Sequence, residues 1–373
     1  VVPDGEYTYV IASQDAAGNR VERRIPGIRV DTREVSVSLS VSDSTLSPNG
    51  DGVKDTVEIR PQSNLQEGVS EWELTVTDDD GDTLRSYSGS SALEPIRWDG
   101  RNSQGEVVEG PATATIDVTY EKGDRAQAQT ARPIVVDVTP PTARVTVDHE
   151  IFSPNGDGRK DRATFTNETS EEQRWIATIS GPDGETVQEA SWIGTAPEEF
   201  RWNGQNVRGT GVPDGVYSYV LEATDRAGNV GRSTPVAVEV YTVETPITLS
   251  VDTEAFSPNE DGVQDDAGLL PQLELEEGVD SYRIQIENER GSTVFSREGS
   301  RAPDSRIVWN GRNDSGRTVP DGRYQANLRV VYRHGNAPEA SSERFTVETE
   351  APRIELETVN ALFSPNDDGR KDD

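Results

Sequence analysis

The string Ser-Pro-Asn-Gly-Asp-Gly at 47–52 returns unchanged at Ser153 and with one substitution each at Ser257 and Ser364. Each copy is followed three residues later by an aspartate, at Asp55, Asp161, Asp265 and Asp372. Start-to-start spacings of 106, 104 and 107 residues mean a tandem array, in which each unit buries its own core and packs against its neighbours. The 373 residues divide into three whole units, 35–139, 140–245 and 246–350. Two pieces flank them: 1–34 reads as the closing strands of an incomplete repeat, and 351–373 as the opening of a further one.

Within each unit the apolar residues alternate with polar ones, as expected of strands that bury a single face. Trp72/Leu74/Val76, Trp175/Ala177/Ile179 and Tyr282/Ile284/Ile286 are the clearest examples. Each of these runs ends in a hairpin signal, at Asp80-Gly81, Asp183-Gly184 and Arg290-Gly291, where glycine supplies the positive φ of a tight turn. A Trp-Asp/Asn-Gly turn follows at Trp98, Trp202 and Trp309. In the second and third units a Pro-Asp-Gly-x-Tyr segment comes next (Pro213 to Tyr217, Pro320 to Tyr324), and Pro3 to Tyr7 repeats it. The first unit has Glu109-Gly110-Pro111 there, with Thr113 in place of the tyrosine, so its turn must be built differently. Short joints bearing proline, at Pro140-Pro141, Pro246 and Pro352, separate the units and limit bending. About seven short strands per hundred residues, with frequent turn signals and no helical periodicity, predicts an all-β chain. Its architecture is tandem immunoglobulin-like antiparallel β-sandwiches in an elongated array. At about 3.3 Å per residue and strands of six to seven residues, three units in line make a rod on the order of 110 Å.

The order of motifs resembles a known bacterial family. Taken in order, Ser-Pro-Asn-x-Asp-Gly-x-x-Asp, an aromatic strand, a hairpin, Trp-Asn-Gly, Pro-Asp-Gly-x-Tyr and Asp-x-Ala-Gly-Asn look like the immunoglobulin-like domain of the flagellar hook-capping protein. The chain is also similar to the C-terminal modules of secreted gliding-motility-associated proteins. This resemblance implies a non-catalytic module of exported appendages and surface proteins.

Composition bounds the partners. With 68 acidic against 36 basic residues the formal charge is −32, a surface that repels nucleic acid and anionic lipid. No apolar run approaches the length of a membrane helix, and there is no cysteine for disulfides or thiolate metal sites, which fits a bacterial surface protein. The expected location is extracellular or on the cell surface, with the periplasm as the alternative.

Two readings of the repeated loop stay open. Counting serine as position 1, oxygen donors fall at positions 3, 5, 7 and 9 around a glycine at 6, as in the first part of an EF-hand calcium loop. The candidate Ca2+ ligands are Asn49, Asp51, the Val53 carbonyl and Asp55; Asn155, Asp157, the Arg159 carbonyl and Asp161; Asn259, Asp261, the Val263 carbonyl and Asp265; and Asn366, Asp368, the Arg370 carbonyl and Asp372. The glutamate expected at position 12 is not maintained, the residues there being Glu58, Thr164 and Gly268. The other reading is a stiff turn in which the Asn and Asp side chains accept backbone N–H groups. The segments Asp15 to Asn19 and Asp225 to Asn229 divide likewise between Asx turns and an inter-domain cation site.

Trp98, Trp202 and Trp309 recur at one place and read as core. Trp192 has no counterpart and is expected to be exposed, a speculative contact for a glycan. His149, near the first joint, and His334, in a late loop, occupy non-equivalent positions and read as solvated. No nucleophile, phosphate-loop or metalloprotease motif occurs, so the chain is read as no enzyme. The leading expectation is a structural rod, filament or stalk held by self-association or contacts between neighbouring repeats. The alternatives are an adhesin array for a glycan or surface ligand, and an assembly scaffold.

Overall fold

The computed structural model describes residues 2–357 together with Leu362, Asp367 and Gly369, so the candidate ligands Asn366, Asp368, Arg370 and Asp372 lie outside the described residues. Among the described residues every regular element is a strand, and no helix is long and apolar enough to cross a membrane. Strands β1 (Gly5–Gln14) and β2 (Arg20–Val30) form an antiparallel hairpin. Its Tyr7, Tyr9 and Ile11 are exposed, whereas Tyr217, Tyr219 and Leu221 in the matching positions of the second repeat are buried.

The first repeat sets the pattern. It consists of β3 (Val37–Val41), β4 (Thr45–Leu46), β5 (Val57–Ser63), β6 (Val69–Asp78), β7 (Thr83–Gly89), β8 (Ile96–Trp98), β9 (Gly110–Tyr120), β10 (Arg125–Gln129) and β11 (Ile134–Val136). A three-stranded sheet, β3-β5-β8, faces a larger one ordered β4-β11-β9-β6-β7, with β10 on β9. Period-two alternation drives the packing, since successive side chains of a strand point to opposite faces. Along β9 the inward residues Ala112, Ala114, Ile116, Val118 and Tyr120 are all buried. Each repeat has its own core cluster.

The opening strand is shared between the two sheets. β3 pairs with β5 on one side; the chain then crosses, and β4 pairs with the last strand, β11, in parallel. The same parallel pairing joins Ile151–Phe152 to Val236–Val240 and Ala255–Phe256 to Phe345–Val347. Parallel neighbours run to the same end of a sheet, so the Ser-Pro-Asn loop after β4 emerges beside the point where the chain leaves the repeat.

The recurrent tryptophans hold that end. Trp98, Trp202 and Trp309 are at most 1% exposed, and each indole N–H donates to a carbonyl three residues on, Arg101, Gln205 or Arg312, at 2.8–3.1 Å. Phe152 and Phe256 meet their tryptophans edge-on at 5.6 and 5.5 Å, while Leu46 fills that place in the first repeat. The Trp-x-Gly turn has a second use. A Cβ on Gly204, whose φ is +71°, would lie 2.9 Å from Pro154, and one on Gly311 would lie 2.8 Å from Pro258. The glycine of one motif is therefore the seat for the proline of the other. Trp309→Ala should destabilise the third repeat by about 3–5 kcal/mol. The expected result is an earlier unfolding transition in denaturant, assigned to that repeat by hydrogen exchange.

Candidate functional site: the joint between repeats

The loop is closed by its own hydrogen bonds. In the first copy the N–H of Gly50 and that of Gly52 donate to the two Asp55 carboxylate oxygens at 2.7 and 2.9 Å. The N–H of Asp51 donates to Asn49 Oδ1, and that of Val53 to Asp51 Oδ1, at 2.9 and 2.7 Å. The second copy repeats these bonds through Asp161, Asn155 and Asp157, and the third through Asp265, Asn259 and Asp261. Left-handed backbone at Gly50, Gly52 and Lys54 turns successive N–H groups toward these side chains.

This geometry bears on the calcium reading. Both oxygens of Asp55 accept loop N–H groups, and those of Asp51 accept Val53 N–H and the Asn49 amide. A divalent ion would have to compete with these four donors for its ligands. The position-1 serine is turned away: Ser47 is fully buried and donates its hydroxyl to Asn229 of the following repeat at 2.5 Å. The residues present therefore fit a hydrogen-bonded turn better than a preformed calcium cage.

What the loop does hold is the next repeat. Asn229 ends the Asp225–Asn229 turn and is 3% exposed. Its Oδ1 accepts Ser47 Oγ and, at 3.2 Å, Asn49 Nδ2. Its Nδ2 donates to the Asp137 carbonyl of the exit segment at 2.9 Å and to Asp225 at 2.8 Å. The Lys54 ammonium reaches the Arg226 carbonyl at 2.8 Å and Asp43 at 3.0 Å, so a side-chain cation bridges the two repeats. The second joint repeats the asparagine and lysine bonds, while the buried Ser153 hydroxyl has no partner. Asn155 Nδ2 donates to Asn336 Oδ1 at 2.8 Å, Asn336 Nδ2 reaches the Val243 carbonyl at 3.2 Å, and the Lys160 ammonium bonds the Arg333 carbonyl at 2.6 Å.

Close approach requires glycine in the docking turn. Gly228 and Gly335 have φ of +99° and +111°; a Cβ on the first would lie 2.7 Å from Val53, and one on the second 2.8 Å from the Arg159 carbonyl. The Val53 and Arg159 positions, candidate ligands by spacing, thus face the neighbouring repeat. Asp225 makes the Asx turn expected of it, accepting the N–H groups of Gly228 and Asn229, and Asp15 does the same for Ala17 and Asn19.

The Pro-Asp-Gly turn braces the exit from the other side. Asp214 accepts the N–H and hydroxyl of Thr242 at 2.9 and 2.6 Å, and Asp321 those of Thr349 at 2.9 and 2.6 Å. The Thr349 hydroxyl is the main reason that the Asp321 carboxyl lies below its ordinary pKa. Tyr217 and Tyr324 return their hydroxyls to the Pro213 and Pro320 carbonyls. The divergent first repeat reaches the same end by a longer side chain: Glu109 accepts Val138 N–H and the Thr139 hydroxyl.

Two expectations are corrected. Trp192 is half-buried, paired across the strands with Trp175 and edge-on to Phe200 at 5.8 Å, because it covers the open side of its own core. His334 is 3% exposed, because its turn is pressed into the second joint. His149 stays partly exposed beside Asp148.

Residues 261–333 match the family model of the FlgD Ig-like domain. The C5a peptidase of Streptococcus pyogenes serotype M3 is 27% identical over 241 residues, covering 59% of this chain and 19% of the peptidase. The serotype M18 enzyme is 25% identical over 239 residues with the same coverage. The chain thus matches about a fifth of the length of these curated relatives. Among solved structures, a tetra-tandem repeat from the extending region of a large adhesion protein is 18% identical, covering 93% of this chain and 82% of that one, with a TM-score of 0.32. A Ca2+-stabilized adhesin of an Antarctic bacterium is 16% identical, covering 92% and 82%, with a TM-score of 0.35.

Asn229→Ala removes the shared partner of Ser47, Asn49 and the Asp137 carbonyl. It should loosen the first joint by about 1–3 kcal/mol. Amide exchange should rise in the loop and the docking turn, with the cores of both repeats unchanged.

Proposed function

We propose that this chain is a non-catalytic structural segment of an exported bacterial protein, a stiff spacer of the rod, filament or stalk kind. The observation that carries this reading is the repetition of one docking arrangement at both joints between whole repeats: loop, exit segment and Gly-Asn turn, with a buried amide at the centre. A freely jointed chain would not need a buried, fully bonded asparagine at each of these two joints, since a buried amide left unpaired is costly. The order of sequence motifs, similar to those of exported appendage modules, supports an extracellular or cell-surface setting. The glycan-binding alternative loses its best platform, because Trp192 is engaged with its own core.

Bracing in this reading comes from the asparagine amides and the Lys54 and Lys160 ammonium groups. Small-angle scattering and negative-stain images should show a straight rod on the order of 110 Å, and an Asn229→Ala/Asn336→Ala double variant should show bent and broadened forms. A flexible wild-type chain would overturn the spacer reading. Millimolar calcium should leave the melting temperature unchanged; a clear rise would return the loops to the cation reading.

A further inference from the structure

The two joints share a backbone plan but are filled differently, and the difference places a histidine where a charge is hard to hold. The N–H groups of Asp137 and Tyr241 make the same bond to their respective opening strands, at Leu46 and Phe152, so these exit residues correspond. The docking turns correspond likewise, Asp225–Asn229 in the second repeat and Tyr332–Asn336 in the third. The first joint therefore gathers Asp137, Asp225 and the buried Ala227, and the second gathers Tyr241, Tyr332 and His334 in the same places.

His334 is 3% exposed and lies between two rings, Tyr241 at 4.4 Å from the preceding repeat and Tyr332 at 5.3 Å from its own. Its Nε2 is buried and has no hydrogen-bond partner. The Tyr332 hydroxyl is committed to the Leu275 carbonyl at 2.6 Å. From the loop side the Lys160 ammonium sits close by, bonded to the carbonyl of the adjacent Arg333. From the Pro-Asp-Gly turn Asp214 contributes an opposing negative charge, and its Oδ1 already accepts two bonds from Thr242.

We propose that His334 makes the second joint a pH-sensitive hinge: the closed joint holds a neutral imidazole, and protonation favours the open joint. Charging the ring would bury a second N–H without an acceptor beside an existing ammonium. The tyrosine faces offer a cation some π attraction but no acceptor for Nε2–H. Burial, then Lys160, hold the histidine below its ordinary pKa, against a weaker pull from Asp214. The open joint, with a solvated histidine, binds the proton more readily, so closure is fully favoured above about pH 6.5. As pH falls below that value the open fraction grows, by up to about tenfold per pH unit, until the depressed pKa is reached. The first joint has alanine at this position and lacks the response. The inference rests on the joint geometry and holds whether or not the array serves as a spacer.

The experiment is hydrogen exchange on the whole chain between pH 7.5 and 5, corrected for intrinsic rates, with His334→Ala alongside. This replacement reproduces the residue already buried at the first joint, and NMR titration of the His334 ring supplies a second readout. The expected result is acid-dependent loosening around Lys160 and Gly335 but not around Lys54 and Gly228, abolished in the variant, with a ring pKa below the ordinary histidine value of about 6.5. A variant that is looser throughout but has a flat pH profile agrees with the proposal. Acid loosening retained in His334→Ala, equal loosening of both joints, no loosening at all, or a ring pKa at or above about 6.5 would each overturn it.

Discussion

Two residues of parallel pairing carry the arrangement of the whole array. Thr45–Leu46 leaves the sheet of its own first strand, crosses to the facing sheet and lies parallel to Ile134–Val136. Were that pairing antiparallel, the loop after it would emerge at the far end of the sandwich from the exit. Because it is parallel, the loop, the exit segment and the incoming turn of the next repeat meet at one place. The tryptophan core, the proline seated on glycine and the Asp–Thr bonds to the linker all stabilise this end of the unit.

A joint between sandwiches has to bury backbone groups that belong to no sheet. Asparagine suits this because its side chain both accepts and donates. Asn229 gathers the Ser47 hydroxyl and the Asn49 amide from the loop and bonds the Asp137 carbonyl of the exit, tying three segments with one side chain. Lysine in left-handed backbone at position 8 adds a charged donor that spans the gap. The third loop keeps the internal bonds with Gln264 in place of lysine and Glu260 in place of glycine, and Glu260 pairs with Arg312. Closing the loop therefore does not need the position-8 lysine, while the position-3 asparagine serves both closure and docking.

Much of the fold was legible because local pattern and burial agree. Alternating strands, hairpin glycines and recurrent tryptophans each report on a residue's own neighbourhood, and the structure places them as the pattern implies. The candidate site was legible only in part. Spacing picked out Asn49, Asp51 and Asp55, whose side chains close one loop, yet a calcium loop and a stack of Asx turns use the same spacing. Asn336, Lys54 and Lys160 were overlooked, and Asn229 was read only as part of a turn or an inter-domain cation site. Their signal was present, since Gly-Asn closes each docking turn and lysine recurs at position 8, but nothing local says that these segments meet. Trp192 and His334 were misread for a related reason: exposure depends on what packs over a residue from elsewhere in the chain.

The Ser-Pro-Asn-Gly-Asp-Gly string by itself determined the repeat length and the conformation of a tight loop. Proline, glycine and short polar side chains restrict the backbone within a few residues, and that restriction is local. The loop's purpose was decided by tertiary structure alone. Ser47 and Asn229 are separated by 182 positions, and only the two-sheet topology, by bringing loop and exit to one end, makes them partners. The same distance effect turned a histidine in a late loop into a buried group between two repeats, because its surroundings come from Tyr241 and Lys160 of the repeat before it.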